Sequence, residues 1–354
     1  MGDQASWTAF YPEAAGNFDE SEIKANHIAE VVIAAARQFK NRPAVSTHLP
    51  NGACATLSFN DVDRLTSDFA VYLREVAGVK AGDVVALMTP NCIGFFLATF
   101  GISKAGCICT NINPLYTAPE MKRQLEDSKA KVLVVIDLFG DKVDEVIPDT
   151  SVREVIKVSL LDYFPPLKKA VMGFVLKRVK RMVPAMRTRH LGMADALKQG
   201  SARRSSAGID VASYRAGQSI DDTALYQYTG GTTGYSKGAE LSHRNVIYNA
   251  ALGSTMVIDE VGAREGDCAL VALPLYHITA FVLVMLMALK HGTHCIMIPS
   301  PRPPSNLESA FKNHAITHIT GINALYAALL EEPWCTRDVF KNLRFCGSGG
   351  AAQH

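Results

Sequence analysis

Tyr226-Gln227-Tyr228-Thr229-Gly230-Gly231-Thr232-Thr233-Gly234-Tyr235-Ser236-Lys237-Gly238-Ala239-Glu240-Leu241-Ser242-His243 is the stretch on which the reading of this chain turns. It follows a strand-like run, Thr223 to Tyr226, and the pattern predicts a helix from about Ser242 to Leu252 with Ser242 as its cap. Gly230, Gly231, Gly234 and Gly238 let backbone N–H groups approach an anion with no Cβ in the way. Thr229, Thr232, Thr233 and Ser236 add hydroxyl donors, and Lys237 adds a cation. Such a loop suits a polyphosphate, above all one that leaves as pyrophosphate and must be neutralised as its charge develops.

Other motifs compete for these residues and their neighbours. The stretch is not a Walker A loop, because no Gly-Lys-[Ser/Thr] stands at the required spacing. Gly234-Tyr-Ser236-Lys-Gly238 matches G-x-S-x-G literally, and the expected strand–turn–helix setting fits a nucleophile elbow, so a serine hydrolase with Ser236 as nucleophile is the rival reading. Against it, an elbow needs no preceding run of Thr and Gly, and a Lys beside the Ser is not its usual setting. Gly347-Ser-Gly349-Gly-Ala-Ala352 fits G-x-G-x-x-A after a strand at 343–346, but the sequence stops before a dinucleotide site would be testable. A non-catalytic nucleotide- or lipid-binding module is a third reading.

Outward from the loop, strand and helix signals alternate. A short strand at 55–59 precedes a helix capped by Asn60, with Val62, Leu65, Phe69, Leu73 and Val76 on its apolar face and Gly78 ending it. Strands at 83–88, 107–112 and 131–136 alternate with helices at 93–104 and 119–128, the pattern of a layered α/β fold. The uncharged runs 84–103 and 269–289 are long enough to span a membrane, yet Pro90-Asn91 interrupts one and Pro274 and His277 the other. Each therefore reads as strand, turn and buried helix. The Ser/Arg/Gly-rich stretch 200–217 reads as a loop.

The 354 residues carry a net charge of only +2, which excludes a whole-protein footprint for nucleic acid. Between Tyr163 and His190, however, lie eight Lys or Arg residues and no acid, so taking that +8 from +2 leaves −6 for the rest. Leu167, Val171, Phe174 and Val175 make an apolar stripe in this segment. It reads either as a solvated helix packed on the domain or as an interfacial helix drawn to anionic lipid. The eight cysteines show no CxxC pair, which argues for a reducing compartment without disulfides or structural zinc. His314 and His318 are four apart without the Glu of a zinc helix motif, so no metal site is expected there. Met1-Gly2 with Ser6 fits the bare myristoylation pattern.

Tyr228 to Ala239 resembles the phosphate-binding signature of the adenylate-forming superfamily, which includes acyl-CoA synthetases, luciferases and peptide synthetase adenylation domains. Leu57 to Asp61, Ser103 to Gly106 with Asn111 to Thr117, Leu273 to His277, and Gly349 to Ala352 resemble further blocks in family order. The whole is most similar to bacterial-type long-chain fatty acid–CoA ligases. The resemblance implies that a carboxylate attacks the α-phosphate of ATP, taken with Mg2+, and that CoA then displaces AMP. It would place Tyr228, Thr229, Gly230, Gly231, Thr232, Thr233, Gly234, Ser236, Lys237 and Gly238 on ATP, with Lys237 as mobile charge. His277 would stand by the acyl carboxylate, and Gly349, Gly350 and Ala351 would line the adenine. Phe281, Val282 and Met285 would wall an acyl tunnel or simply belong to the core.

The expected architecture is a 1–24 extension and an AMP-binding N-terminal domain over 25–354. That domain is expected to be incomplete, with the C-terminal lid and its adenylation lysine absent and the fragment itself inactive. Fatty acid, ATP and CoA are the expected partners in the cytoplasm. A peripheral contact with anionic membrane through 163–190 and a homodimer are further expectations; nucleic acid is not.

Overall fold

The computed structural model describes residues 23–229 and 236–349. Met1, Gly2 and Ser6, Gly230 to Gly234, and Gly350 to Ala352 lie outside the described residues. Among those described, the strands in chain order are β1 (Pro43–His48), β2 (Cys54–Ser58), β3 (Val84–Met88), β4 (Ile108–Asn111), β5 (Val132–Ile136), β6 (Glu154–Val158) and β7 (Leu191–Gly192). There follow β8 (Thr223–Thr229), β9 (Lys237–Ser242), β10 (Cys268–Val271), β11 (His294–Met297), β12 (His318–Gly321) and β13 (Phe345–Ser348). They form one sheet in the order β13-β12-β10-β11-β1-β2 and another in the order β7-β6-β5-β3-β4-β8-β9. All neighbours are parallel except β1–β2 and β8–β9. Buried parallel strands need apolar residues on both faces, and every residue of β3 and β5 is buried.

Helices α1 (Ile28–Phe39), α2 (Phe59–Val71) and α3 (Ile93–Lys104) pack between the sheets. One core unites Val45, Cys295 and Met297 of the first sheet with Val85, Leu87 and Val134 of the second through Phe69, Phe96 and Phe100. Helix α3 is buried along its whole length, as its unbroken apolar sequence demands. Even Lys104 at its end is only 1% exposed, because its ammonium donates to Asp63 Oδ1 at 2.5 Å and to Ser67 Oγ at 2.9 Å. The two long uncharged runs thus resolve as β3–α3 and as β10 followed by helical turns from Ile278 to His291. Among the described residues no helix is long and apolar enough to cross a membrane.

Three expectations are corrected. Ser58, not Asn60, caps α2, because Ser58 Oγ accepts from Asp61 N while the Asp61 carboxylate accepts from Ser58 N, a reciprocal box. Val76, expected on the apolar face, is 44% exposed where the helix frays into a wider turn. The stretch 200–217 is no loop: helix α6 (Met193–Ala207) runs through its first part, after helices α4 (Ala118–Ser128) and α5 (Pro166–Phe174). Gly200 sits where α6 crosses α2, and a Cβ there would lie 1.9 Å from the Asp68 carbonyl oxygen. Close helix contact, rather than a turn, selects this glycine, and the Arg204–Asp68 ion pair at 3.1 Å closes the same crossing.

Helix α5 also departs from its packed reading. Met172 and the following Leu176 lean on the core, but Leu167 is 78% exposed, Phe174 63% and Val179 66%. The spacing revealed the apolar face but not which side would be covered.

Candidate active site

The phosphate-type loop is held at both ends by one antiparallel pair. Tyr228 lies opposite Gly238 and Thr229 opposite Lys237, so the chain leaves β8 and re-enters β9 at adjacent positions. Ser236 Oγ donates to the Thr229 carbonyl at 2.8 Å, a further tie across the loop's mouth. Lys237 is exposed at the first position of β9. Helix α7 (His243–Val261) begins where the pattern predicts it, but the residues between the loop and that helix carry no strand signal in the sequence and nevertheless pair with β8. Ser242 does cap it, with Asn245 N donating to Ser242 Oγ at 3.2 Å.

That strand removes the strand–turn–helix setting a nucleophile elbow requires. Ser236 bonds Thr229 and stands 3.5 Å from Tyr116 Oη, and neither partner is a base of the kind that activates serine.

Tyr228 packs against the strand that follows the loop. Its hydroxyl donates to Asp127 at 2.5 Å, and burial together with the Asp127 charge pushes the phenol pKa well up. Its ring fills the space over Gly238, where an added Cβ would come within 2.9 Å of Cζ. Gly238 is therefore fixed by this ring as well as by any anion. Tyr116 closes the side, with its carbonyl oxygen accepting from Lys142 Nζ.

His277 reaches the site through a segment tied at three points to α3's leading loop. Asn91 Nδ2 donates to the carbonyls of Val271 at 2.9 Å and Leu273 at 2.8 Å, and its Oδ1 accepts from Leu275 N at 2.9 Å. From the other sheet, Gln227 Nε2 donates to the Tyr276 carbonyl at 3.2 Å. The His277 ring stacks at a tilt on Tyr276, centroids 4.5 Å apart, and partial desolvation lowers its pKa. Phe281, Val282 and Met285 beyond it are buried in the common core. Gly349 follows β13, and its N–H donates to the Gly321 carbonyl at 3.2 Å.

Asn91 lies past the carboxyl end of β3, Thr229 at that of β8, His277 past that of β10 and Gly349 past that of β13, and the bonds of Asn91 and Gln227 tie the first three segments together across the two sheets. In open α/β sheets the carboxyl ends of the strands are where ligands bind. The contacts that Asn91, Gln227, Tyr116 and Asp127 make here carry no signal in the sequence pattern, since each acts on a segment distant in the chain.

The fold and this segment define a layered α/β domain with a glycine-rich connection between two antiparallel strands, β8 and β9. The pattern of the family described as AMP-binding enzyme matches residues 32–353, and the chain belongs to that family. It is 33% identical over 348 residues to a long-chain-fatty-acid–CoA ligase of Haemophilus influenzae, covering 98% of this chain and 59% of the relative. It is 35% identical over 301 residues to a long-chain-fatty-acid–CoA ligase of Escherichia coli, covering 83% of this chain and 51% of the relative. The chain therefore spans between half and three fifths of the length of these curated relatives. Among solved structures, the anthranilate CoA ligase AuaEII in complex with anthranoyl-AMP shares the fold with a TM-score of 0.76 at 20% identity, over 95% of this chain and 57% of that one.

Proposed function

We propose that this chain supplies the nucleotide- and acyl-binding part of an ATP-dependent long-chain fatty acid–CoA ligase. The observation that carries the proposal is the pinned loop between β8 and β9, tied through Gln227 to the segment that ends in His277, in a chain whose relatives bear that name. The fatty acid carboxylate attacks the α-phosphate of ATP, the bond to the β-phosphate breaks, and pyrophosphate leaves. The CoA thiol then attacks the acyl carbonyl, loses its proton, and expels AMP. Thr229 to Gly238 hold the β- and γ-phosphates, with Lys237 following the charge as it moves onto the leaving group. Tyr228 packs against the strand that follows that loop. His277 stands beside the acyl carboxylate, and Gly349, Gly350 and Ala351 border the adenine.

Magnesium enters as the partner of ATP. The described residues bordering the loop offer hydroxyls and one ammonium rather than a set of carboxylates, since Asp127 is already engaged by Tyr228. In this reading residues 1–24 are an extension, 25–354 are one AMP-binding N-terminal domain, and the protein works as a cytoplasmic homodimer. Thioester formation by the full-length protein from a long-chain fatty acid, ATP and CoA tests the proposal. Acyl-ester hydrolysis without ATP would replace it by the Ser236 hydrolase.

The same proposal includes a peripheral membrane contact, which would bring the enzyme to a water-insoluble substrate. Its basis is the exposed stripe of Leu167, Val171, Phe174 and Val179, set among Lys168, Lys169, Lys177 and Arg178 on a segment without an acid. Wild-type protein is expected to sediment with vesicles containing anionic lipid, and Leu167→Asp with Phe174→Asp to stay in the supernatant. Equal sedimentation of both removes the contact.

A further inference from the structure

One cluster lies in the six-stranded sheet and involves none of those residues. His48, Cys54 and His314 come from three segments, and their ligand-type atoms all lie within 4.8 Å of one another. His48 closes β1 and Cys54 opens β2, and the antiparallel register sets them directly opposite, which puts both side chains on one face. His314 arrives from 260 and more residues away, just after helix α8 (Glu308–Asn313), with its Nε2 3.1 Å from His48 Nδ1. The far nitrogen of His48, Nε2, is 2.9 Å from Ser309 Oγ. That contact fixes the ring and leaves Nδ1 as the atom turned toward the cluster, as the outer partner of a metal-bound imidazole does. His48 is fully buried, whereas Cys54 and His314 are partly open, so an ion could enter and keep a water.

We propose that His48, Cys54 and His314 bind a zinc ion through two imidazoles and one thiolate, with a fourth position open to water. Nitrogen and sulfur donors in this number suit zinc, at roughly 2.0–2.1 Å to nitrogen and about 2.3 Å to sulfur. Oxygen-seeking magnesium or calcium would find nothing to hold. On binding, the Cys54 thiol gives its proton to solvent. The proton shared between the two rings moves to the outer nitrogen of His314, and the His48–His314 hydrogen bond is replaced by two bonds to the ion. The ion would clamp β2, the edge strand of its sheet, to the segment after α8. The sequence could not show this set: His314 was paired by spacing with His318, which instead opens β12 and bonds Thr317 Oγ1 at 2.7 Å.

The test is cobalt titration of reduced, metal-stripped protein, followed through the sulfur-to-cobalt charge-transfer band. One equivalent is expected to produce the band, and Zn2+ to erase it. Cys54→Ser is expected to abolish the band and His314→Gln to weaken binding at least about tenfold. Cys346→Ser, which removes an exposed thiol elsewhere, is expected to leave it unchanged. Circular dichroism of each variant checks that the fold persists, and Cys54, on an edge strand and partly open, is replaceable by the near-isosteric serine. No saturable band at one equivalent, or a band that survives Cys54→Ser, overturns the proposal.

Discussion

Lys237→Ala in the full-length protein is expected to slow ATP-dependent activation of a fatty acid by about 10²–10³-fold, the usual loss when one preorganised donor to a developing charge is removed. The effect should fall on the chemical step, because the ammonium is asked to follow charge onto the departing pyrophosphate. Stability should barely change. Lys237 is exposed at the first residue of β9, and the Thr229–Lys237 pairing is made by backbone. Lys237→Arg keeps the charge and should recover part of the rate, though a planar fork is a poor substitute for a compact ammonium. Single-turnover measurements on the three proteins decide the matter. Equal rates for wild type and Lys237→Ala would remove this residue from the mechanism.

Asn91→Ala is expected to cost about 3 kcal/mol of stability, at about 1 kcal/mol for each of the three hydrogen bonds it makes to the 271–275 backbone. The side chain is only 4% exposed, so water cannot easily replace the lost partners. Activity should fall further than stability explains. Asn91 and Gln227 together aim the segment that ends in His277, and misplacing a reacting group by about 1 Å costs on the order of 10²-fold. Asn91→Asp gives a sharper test. It keeps the acceptor for Leu275 N but turns a charge toward two carbonyl oxygens that need a donor, so it should be no better than alanine. Urea unfolding together with kcat and KM reads both effects; an unchanged midpoint and unchanged kcat would mean that the segment holds its place without Asn91.

Local chemistry carried far in the sequence. The apolar run Val132 to Ile136 has no way to be a surface strand, and it is wholly buried as β5. Pro90-Asn91 divides one long apolar run into β3 and α3, as a proline and a turn-forming asparagine should. What stayed hidden depends on partners distant in the chain. Gly200 looks like a loop residue until Asp68 is seen against it. Lys237 to Ser242 has no strong strand pattern, and only the facing β8 makes it one. The face of α5 that carries Leu167 and Phe174 is amphipathic by spacing, yet exposure is a property of what surrounds it. In the same way, no spacing rule joins Asn91 to Leu273 or His48 to His314.

In the proposed function, the site around β8, β9 and the segment after β10 activates a carboxylate as an acyl-adenylate. The most direct measurement supplies the full-length protein with a long-chain fatty acid labelled with heavy oxygen in its carboxylate, plus ATP and CoA, and weighs the products. In the predicted reaction the attacking carboxylate oxygen stays on the α-phosphorus when the thiol expels AMP, so the label appears in AMP and pyrophosphate is unlabelled. Label in inorganic phosphate with ADP as co-product, or thioester formed without label in AMP, would contradict it.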